Sequence, residues 1–446
     1  MVRARTRAQY TLLAVLLGAL IAAGCRPGAP IREAVRPSPP YEQYAQSLRD
    51  ARLEETALGR EWFAAGERAL QAPLSITLPF REVAYLPPRE PSAIGYRVEL
   101  RRGQRLSIDI TADAAQAARL FVDAFELPAD GPPERIAHAE AGASSLTVDP
   151  PRDGVYIVRL QPELLRGGRV EIVQRITASL GFPVAGFDSR AVASSFGAPR
   201  DGGARDHHGI DIFAPRGTPV LAAADGWVSA VRTTPRGGRV VWVWSAGRSL
   251  YYAHLDEQVV SPGQRVRAGD RLGSVGNTGN AQGTPPHLHF GIYARGEGPV
   301  DPLPFVHAPP GAPPPVTADD AALGTLRRTT SASLRLRAGS GTSSPILTEL
   351  PRHTVVRLES AIADWYRVTL PDGTRGFVIA RATQPLDVPI RRHRPAAPTL
   401  VRQHPEPAAT PIAALEPGAR VPVLGQYEGY VLIRTAAGLE GWVSAG

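Results

Sequence analysis

His207-His208-Gly209-Ile210-Asp211-Ile212 and Pro286-His287-Leu288-His289-Phe290 are the two stretches on which the fold turns. Side chains two or four residues apart on a β-strand project from the same face. The first stretch, read as strand, puts His207 and Asp211 on one face and Ile210 and Ile212 toward a core. The second puts His287 and His289 on one face and Leu288 and Phe290 on the other. Between them, Val240 to Trp244 alternates as a strand, and Tyr252-Ala253-His254 reads as another. One sheet therefore presents four imidazoles and a carboxylate to a single groove.

That donor set exceeds what a closed structural site needs. A catalytic zinc takes three protein ligands and keeps one position for water, whose pKa falls to near ~7. Imidazole and carboxylate suit it, and two histidines are left to move a proton or steady a developing oxyanion, a contribution of about 10²–10⁴-fold. Which histidine of the 287/289 pair is a ligand stays open on spacing alone. Gly276, Gly279 and Gly283 frame the loop before the His-x-His strand, where they permit positive φ and close approach of a substrate backbone.

From about Pro183 to Phe305 the chain resembles the lysostaphin/LytM-type zinc metallopeptidases that cut peptidoglycan peptides. The shared text runs through Ser195-Phe196-Gly197, the His207 to Ile212 stretch, Gly217-Thr218-Pro219-Val220 and Ala222-Ala223-Ala224-Asp225-Gly226. It continues with Tyr252-Ala253-His254-Leu255, Gly276-Asn277-Thr278-Gly279-Asn280 and the His-x-His stretch. The resemblance implies His207, Asp211 and His289 as ligands of one zinc per chain, and His254 and His287 as the catalytic pair. His208, next to a ligand but on the other strand face, is expected to be structural or to support the ligands. Asp206 and Asp225 read as turn residues, and His138, His307, His353, His393 and His404 as surface histidines.

Length and composition set the frame around this site. The 446 residues are 43% hydrophobic, with 44 Gly and 44 Pro, as expected of several β-rich domains joined by stiff linkers. All 50 basic residues are arginine, and the formal net charge is +8. Met1 to Arg7 is a basic leader, Tyr10 to Ala23 is apolar but too short to span a membrane, and Ala22-Ala23-Gly24-Cys25 resembles a bacterial lipobox. It departs from that pattern at Ala22, where leucine is usual. The expectation is removal of residues 1–24, with their Arg3, Arg5 and Arg7, which leaves 8 − 3 = +5, and a lipid on the Cys25 sulfur. Arg26 is not the aspartate of inner-membrane retention, so a Gram-negative cell would send the chain to the outer membrane, facing the periplasm. Nucleic acid is not expected as a partner: the leader implies export, and the chain shows no basic-aromatic module. A single cysteine allows no internal disulfide.

The expected fold class is mainly β and multidomain. Residues 25–40 are a Pro-rich tether, and 41–72 form one amphipathic helix with a stripe of Tyr41, Tyr44, Leu48, Ala51, Leu58, Trp62, Ala65 and Ala69, interrupted by Glu55. Residues 73–179 read as a β-sandwich accessory domain, 180–306 as an antiparallel peptidase domain, and 307–323 as a Pro/Ala linker. Two modules follow, 324–385 and 386–446. Leu350, Trp365, Gly376 and Phe377 recur as Leu415, Tyr430, Gly441 and Trp442 at a fixed offset of 441 − 376 = 65. The first resembles bacterial SH3-like barrels, which commonly bind wall peptides; the second is degenerate near Pro395 to Pro411. The expected function is zinc-dependent hydrolysis of peptidoglycan cross-links, with peptidoglycan and the membrane as partners. The rival readings are a non-catalytic wall-binding regulator of a separate amidase, and a structural anchor built on the repeats.

Overall fold

The structure, a computed structural model, describes residues 38–112, 120–309 and 311–445; Cys25 and the leader lie outside them. Where the sequence predicts one helix over 41–72, the structure has two, Pro40–Asp50 and Ala57–Gln71. Pro40 opens the first with its preset φ. The break falls at Arg52, in the left-handed region at φ 55°, and Thr56 caps the second helix by accepting the Gly59 N–H at 3.0 Å. The helices fold back on each other. A Cβ at Gly59 would lie 1.9 Å from the Leu53 carbonyl oxygen. Ala45, Leu48, Trp62, Ala65 and Ala69 are buried, but Ala51 of the expected stripe is exposed because it sits in the turn. Tyr41 stacks on Trp62 at 5.1 Å, and the Trp62 indole N–H donates to the Pro162 carbonyl at 2.8 Å, which ties the hairpin to the next domain.

That domain is two sheets packed face to face. One has the strand order Leu74–Ser75, Ile94–Leu100, Gly154–Pro162, Leu120–Leu127, Glu134–His138. The other runs Phe80–Leu86, Gly168–Ala178, Gln104–Ala112, Ser145–Val148. Tyr96, Val98, Val122, Val158 and Leu160 of the first sheet meet Ala84, Leu106, Ile108 and Ile172 of the second in the core.

The second sheet does not stop at the domain edge. Phe80–Leu86 also pairs with Val355–Ile362, at Val83 to Ala361 and Ala84 to Ser360, so sandwich and first SH3-like barrel share one eleven-stranded sheet. Ile362, Trp365 and Phe377 of the barrel complete the sandwich core. Glu82 is fully buried at this seam, 3.3 Å from the Arg367 guanidinium and hydrogen-bonded by the Tyr96 hydroxyl. The second barrel packs on the first through Leu424, Tyr427, Leu432 and Trp442 and keeps its own small core of Val401, Val423, Val431, Ile433 and Val443. Part of the Pro/Ala segment is built in as well: the Thr317 and Ala318 N–H groups both donate to the Ala363 carbonyl, and Ala318 and Leu323 join the barrel core.

The remaining unit, which holds the histidine motifs, meets the sandwich near its own C-terminal end. The Phe305 ring lies against Gly103, which has φ 93° and where a Cβ would sit 2.5 Å from the ring. The Leu180 N–H donates to the Phe305 carbonyl at 2.8 Å. Arg102 pairs with Glu297 beside this contact. Among the described residues no helix is long and apolar enough to cross a membrane.

The shared core makes a specific prediction. Trp365→Ala should cost about 3–5 kcal/mol through the cavity it leaves. The loss should fall on the sandwich and the first barrel together. Hydrogen exchange should show Phe80–Leu86 and Gly168–Ala178 losing protection along with the barrel strands; protection lost in the barrel alone would show that the two fold as separate units.

Candidate metal centre

An eight-stranded antiparallel sheet carries the site. Its order is Val192–Ser194, Ile210–Phe213, His287–Ala294, Arg248–Leu255, Gly238–Ser245, Gly226–Thr234, Arg265–Val266, with Gly298–Val300 also paired to the His-x-His strand. One face is core: Ile210, Ile212, Leu288, Phe290, Ile292, Tyr252, Val241 and Val243 are all fully buried. Register then aligns the other face. Asp211 sits directly opposite His289, and His289 opposite Ala253, so alternation delivers the carboxylate and both histidines of His-x-His to one side.

His207 reaches this face by another route. It precedes the Ile210–Phe213 strand rather than belonging to it, so the shared strand face expected for His207 and Asp211 is not how they meet. The loop is pinned by its own backbone: the His207 N–H donates to the Ala198 carbonyl at 3.0 Å and the His207 carbonyl accepts from the Gly197 N–H at 2.9 Å. Its Nδ1–H donates to the Ser195 carbonyl at 2.8 Å, which turns Nε2 inward. The Ser195-Phe196-Gly197 text is thus the seat of a ligand. Gly209 leaves room for the neighbour, since a Cβ there would lie 2.7 Å from His289 Nε2.

Three donor atoms converge. His207 Nε2, His289 Nδ1 and Asp211 Oδ1 are each 3.0 Å from the other two. Tetrahedral zinc with ligand bonds of about 2.0–2.1 Å needs donor atoms roughly 3.3 Å apart, so the triangle is the right size for a small divalent cation. His207 and Asp211 are buried and His289 is nearly so. Burial alone would push the Asp211 carboxyl up, but hydrogen bonds from His207 and His289 and their charge outweigh it and hold the group well below the usual carboxylate range. Burial also pushes His289 down, against the pull of Asp211. Each effect favours the deprotonated state in which these groups bind a metal.

Arg200, which the sequence reading does not single out, belongs to the same site. Its Nη2 donates to Asp211 Oδ2 at 2.7 Å and to Ser194 Oγ at 2.6 Å, leaving Oδ1 to the two histidines. Nothing in the spacing marks it, because a short two-stranded hairpin, Pro199–Arg200 with Arg205–Asp206, carries it back over the sheet.

The second pair of imidazoles faces the same groove. His254 Nδ1 donates to the Thr278 carbonyl and His287 Nδ1 to the Pro285 carbonyl, both at 2.9 Å, so each ring presents Nε2. Their centroids are 5.1 Å apart, and His254 lies 5.9 Å from His289. His254 sits at φ 63°, a left-handed conformation at the strand end that swings the ring into the groove. The glycine loop fixes its partner: Gly279, at φ 73°, packs so tightly on the Arg236-Gly238 turn that a Cβ would be 2.3 Å from the Gly238 nitrogen. Burial pushes His254 down to about 4, against the Thr278 carbonyl, so the ring is neutral at pH 7 and free to accept a proton.

The other polar residues sort by exposure. His208 is exposed and outside the cluster. Asp206 and Asp225 are exposed, and Asp225 holds a turn by accepting the Ala268 N–H at 2.8 Å. Of the five histidines expected at the surface, only His404 is fully exposed; His307 is half-buried with its Nδ1 2.7 Å from Ser189 Oγ.

Residues 205–302 match Peptidase family M23, and residues 332–383 and 399–446 match the Bacterial SH3 domain. Peptidoglycan DD-endopeptidase ShyC of Vibrio cholerae is 35% identical over 114 residues, 24% of this chain and 26% of that protein. Peptidoglycan DD-endopeptidase ShyA of the same organism is 40% identical over 91 residues, 20% of this chain and 21% of that one. The likeness therefore spans about a quarter or less of these relatives' length. A solved structure of LytU is 35% identical, covering 27% of this chain and 86% of that one with a TM-score of 0.25.

His254 gives the metal-free chain a pH signature. Its pKa is depressed by folding, so the unfolded chain binds the proton first as pH falls from about 6.5 to 4, and stability declines over that window. Glutamine at this position should flatten the slope of thermal midpoint against pH there without abolishing it, because His289 is shifted in the same direction. An unchanged slope would mean that the ring already titrates as if in water.

Proposed function

We propose that this chain, which carries a peptidase family M23 domain ahead of two bacterial SH3 domains, is a zinc endopeptidase that hydrolyses peptide cross-links of peptidoglycan at the cell envelope. The observation that carries this reading is the 3.0 Å triangle of His207 Nε2, Asp211 Oδ1 and His289 Nδ1, set on the same sheet face as two further imidazoles. His207, Asp211 and His289 would hold one zinc. The ion would supply Lewis acidity toward a carbonyl and bring the acidity of water near neutrality.

The chain's own groups do the rest. His254 and His287, each fixed at Nδ1 by a carbonyl, offer Nε2 at the groove. One takes the proton of attacking water at Nε2 and returns it to the leaving amine; the other, in its doubly protonated form, donates from Nε2 to the oxygen on which charge develops. Arg200 neutralises the outer oxygen of Asp211 and keeps that carboxylate turned to the histidines. The names of the matched relatives support peptidoglycan as the substrate. The text Ala22-Ala23-Gly24-Cys25 supports attachment to the membrane through a lipid on Cys25.

The ligand and catalytic roles separate experimentally. His207→Ala should lose zinc and hydrolysis together, by elemental analysis and by mass spectrometry of muropeptides released from purified sacculi. His254→Ala and His287→Ala should retain zinc and lose about 10²–10⁴ in rate. Sacculus binding with no cleavage by the zinc-loaded wild-type protein would overturn the reading in favour of a non-catalytic wall-binding regulator.

The anchor has its own test. Cys25→Ser should move the protein from the membrane fraction to the soluble one and abolish incorporation of labelled fatty acid.

A further inference from the structure

The face of the sheet that carries the candidate metal site does not end there. Tyr251 lies edge-on to His289 at 5.8 Å, and Trp242 packs on Tyr251 at 4.3 Å. Two residues further along the same strand and on the same face is Trp244, directly opposite Trp227 on the neighbouring strand. These two indoles are open: Trp227 is 49% and Trp244 39% exposed. They line a cleft of about 430 Å³ together with Asp225, Ser245, Arg265 and Arg267. The Arg265 guanidinium sits 4.9 Å from the centre of the Trp227 ring and fixes it.

Two half-exposed tryptophans side by side at the ends of their strands, near the sheet edge, call for a ligand, and size limits what it is. Together they expose about 200 Å² of ring. A stable protein partner needs roughly 800 Å² on each side, and the residues around the rings are charged rather than apolar. The chemistry suits a saccharide. The C–H face of a pyranose carries partial positive charge and lies flat on the negative face of an indole, while the two guanidiniums donate to hydroxyl and acetamido oxygens and the Asp225 carboxylate accepts from hydroxyls.

Distance ties this platform to the groove. From His289 to Trp227 is three strand spacings across the sheet and four residues along it, about 20 Å. An extended peptide of roughly six residues spans that length. We propose that Trp227, Trp244 and Arg265 form a binding site for the glycan strand, holding an N-acetylated sugar while the peptide that hangs from it lies along the aromatic track to the metal site. This rests on the peptidoglycan reading above.

The test uses the full chain and a hexamer of β-1,4-linked N-acetylglucosamine, followed by tryptophan fluorescence and calorimetry. The hexamer should bind wild type, with at least a tenfold loss in Trp227→Ala/Trp244→Ala and a several-fold loss in Arg265→Ala. Metal content and cleavage of a sugar-free cross-linked peptide should be unchanged in both variants. No binding by wild type, or equal binding by the variants, overturns the platform even if the sugar-free peptide is cleaved. Sugar binding without any cleavage would leave the platform standing and remove the proposed function instead.

Discussion

Asp211 Oδ1 is shared by two imidazole nitrogens, and the arrangement of the peptidase unit follows from keeping it so. Three such atoms at 3.0 Å from one another need a shared proton or other positive charge among or beside them. Arg200 supplies part of that charge from outside, through the other carboxylate oxygen. The fold meets the remaining cost by force of packing. The strands bearing Asp211 and His289 are locked by a fully buried aliphatic and aromatic underside, and the His207 loop by backbone hydrogen bonds. Donors held by packing in this way are preorganised, so little ordering entropy is lost on binding.

What the sequence makes legible is what local periodicity controls. Alternation places Asp211, His287 and His289 on one face and Leu288 and Phe290 on the other, and the structure agrees because these strands pair without a bulge at those positions. Alternation cannot place His207, which lies before its strand, or explain His254, whose ring reaches the groove only because its backbone turns left-handed. Arg200 is silent in the sequence for a related reason. Its approach depends on a short hairpin and not on any period. The break between the two N-terminal helices is marked only by Thr56 as a cap and by Glu55 falling off the apolar stripe, signals weaker than the stripe itself.

The relation between the sandwich and the barrels is of another kind. The strand Phe80–Leu86 lies within the stretch expected as a β-sandwich, and nothing in it announces that one edge is kept for a segment far along the chain. Trp365 and Phe377 read as the aromatic signature of a repeat module, and the structure spends both on a different domain's core. The buried Glu82 and Arg367 at this junction are weak evidence for stability in themselves, since desolvation offsets most of their attraction. Removing either alone would strand a charge, so the pair constrains which surfaces can meet.

This sharing changes what the repeats can contribute. Trp365 and Phe377 are committed to the sandwich and Tyr427 and Trp442 to the contact between barrels, while aliphatic side chains such as Ile346, Leu347, Leu400 and Ile412 stay exposed on the barrels. One sheet of the sandwich and the first barrel therefore form a single framework, continuous in its main-chain hydrogen bonding. The open aromatic surface lies instead on the peptidase sheet, in line with the metal site. Recognition and chemistry on a single rigid sheet keep a fixed spacing between them, which two domains joined by a flexible linker would not preserve.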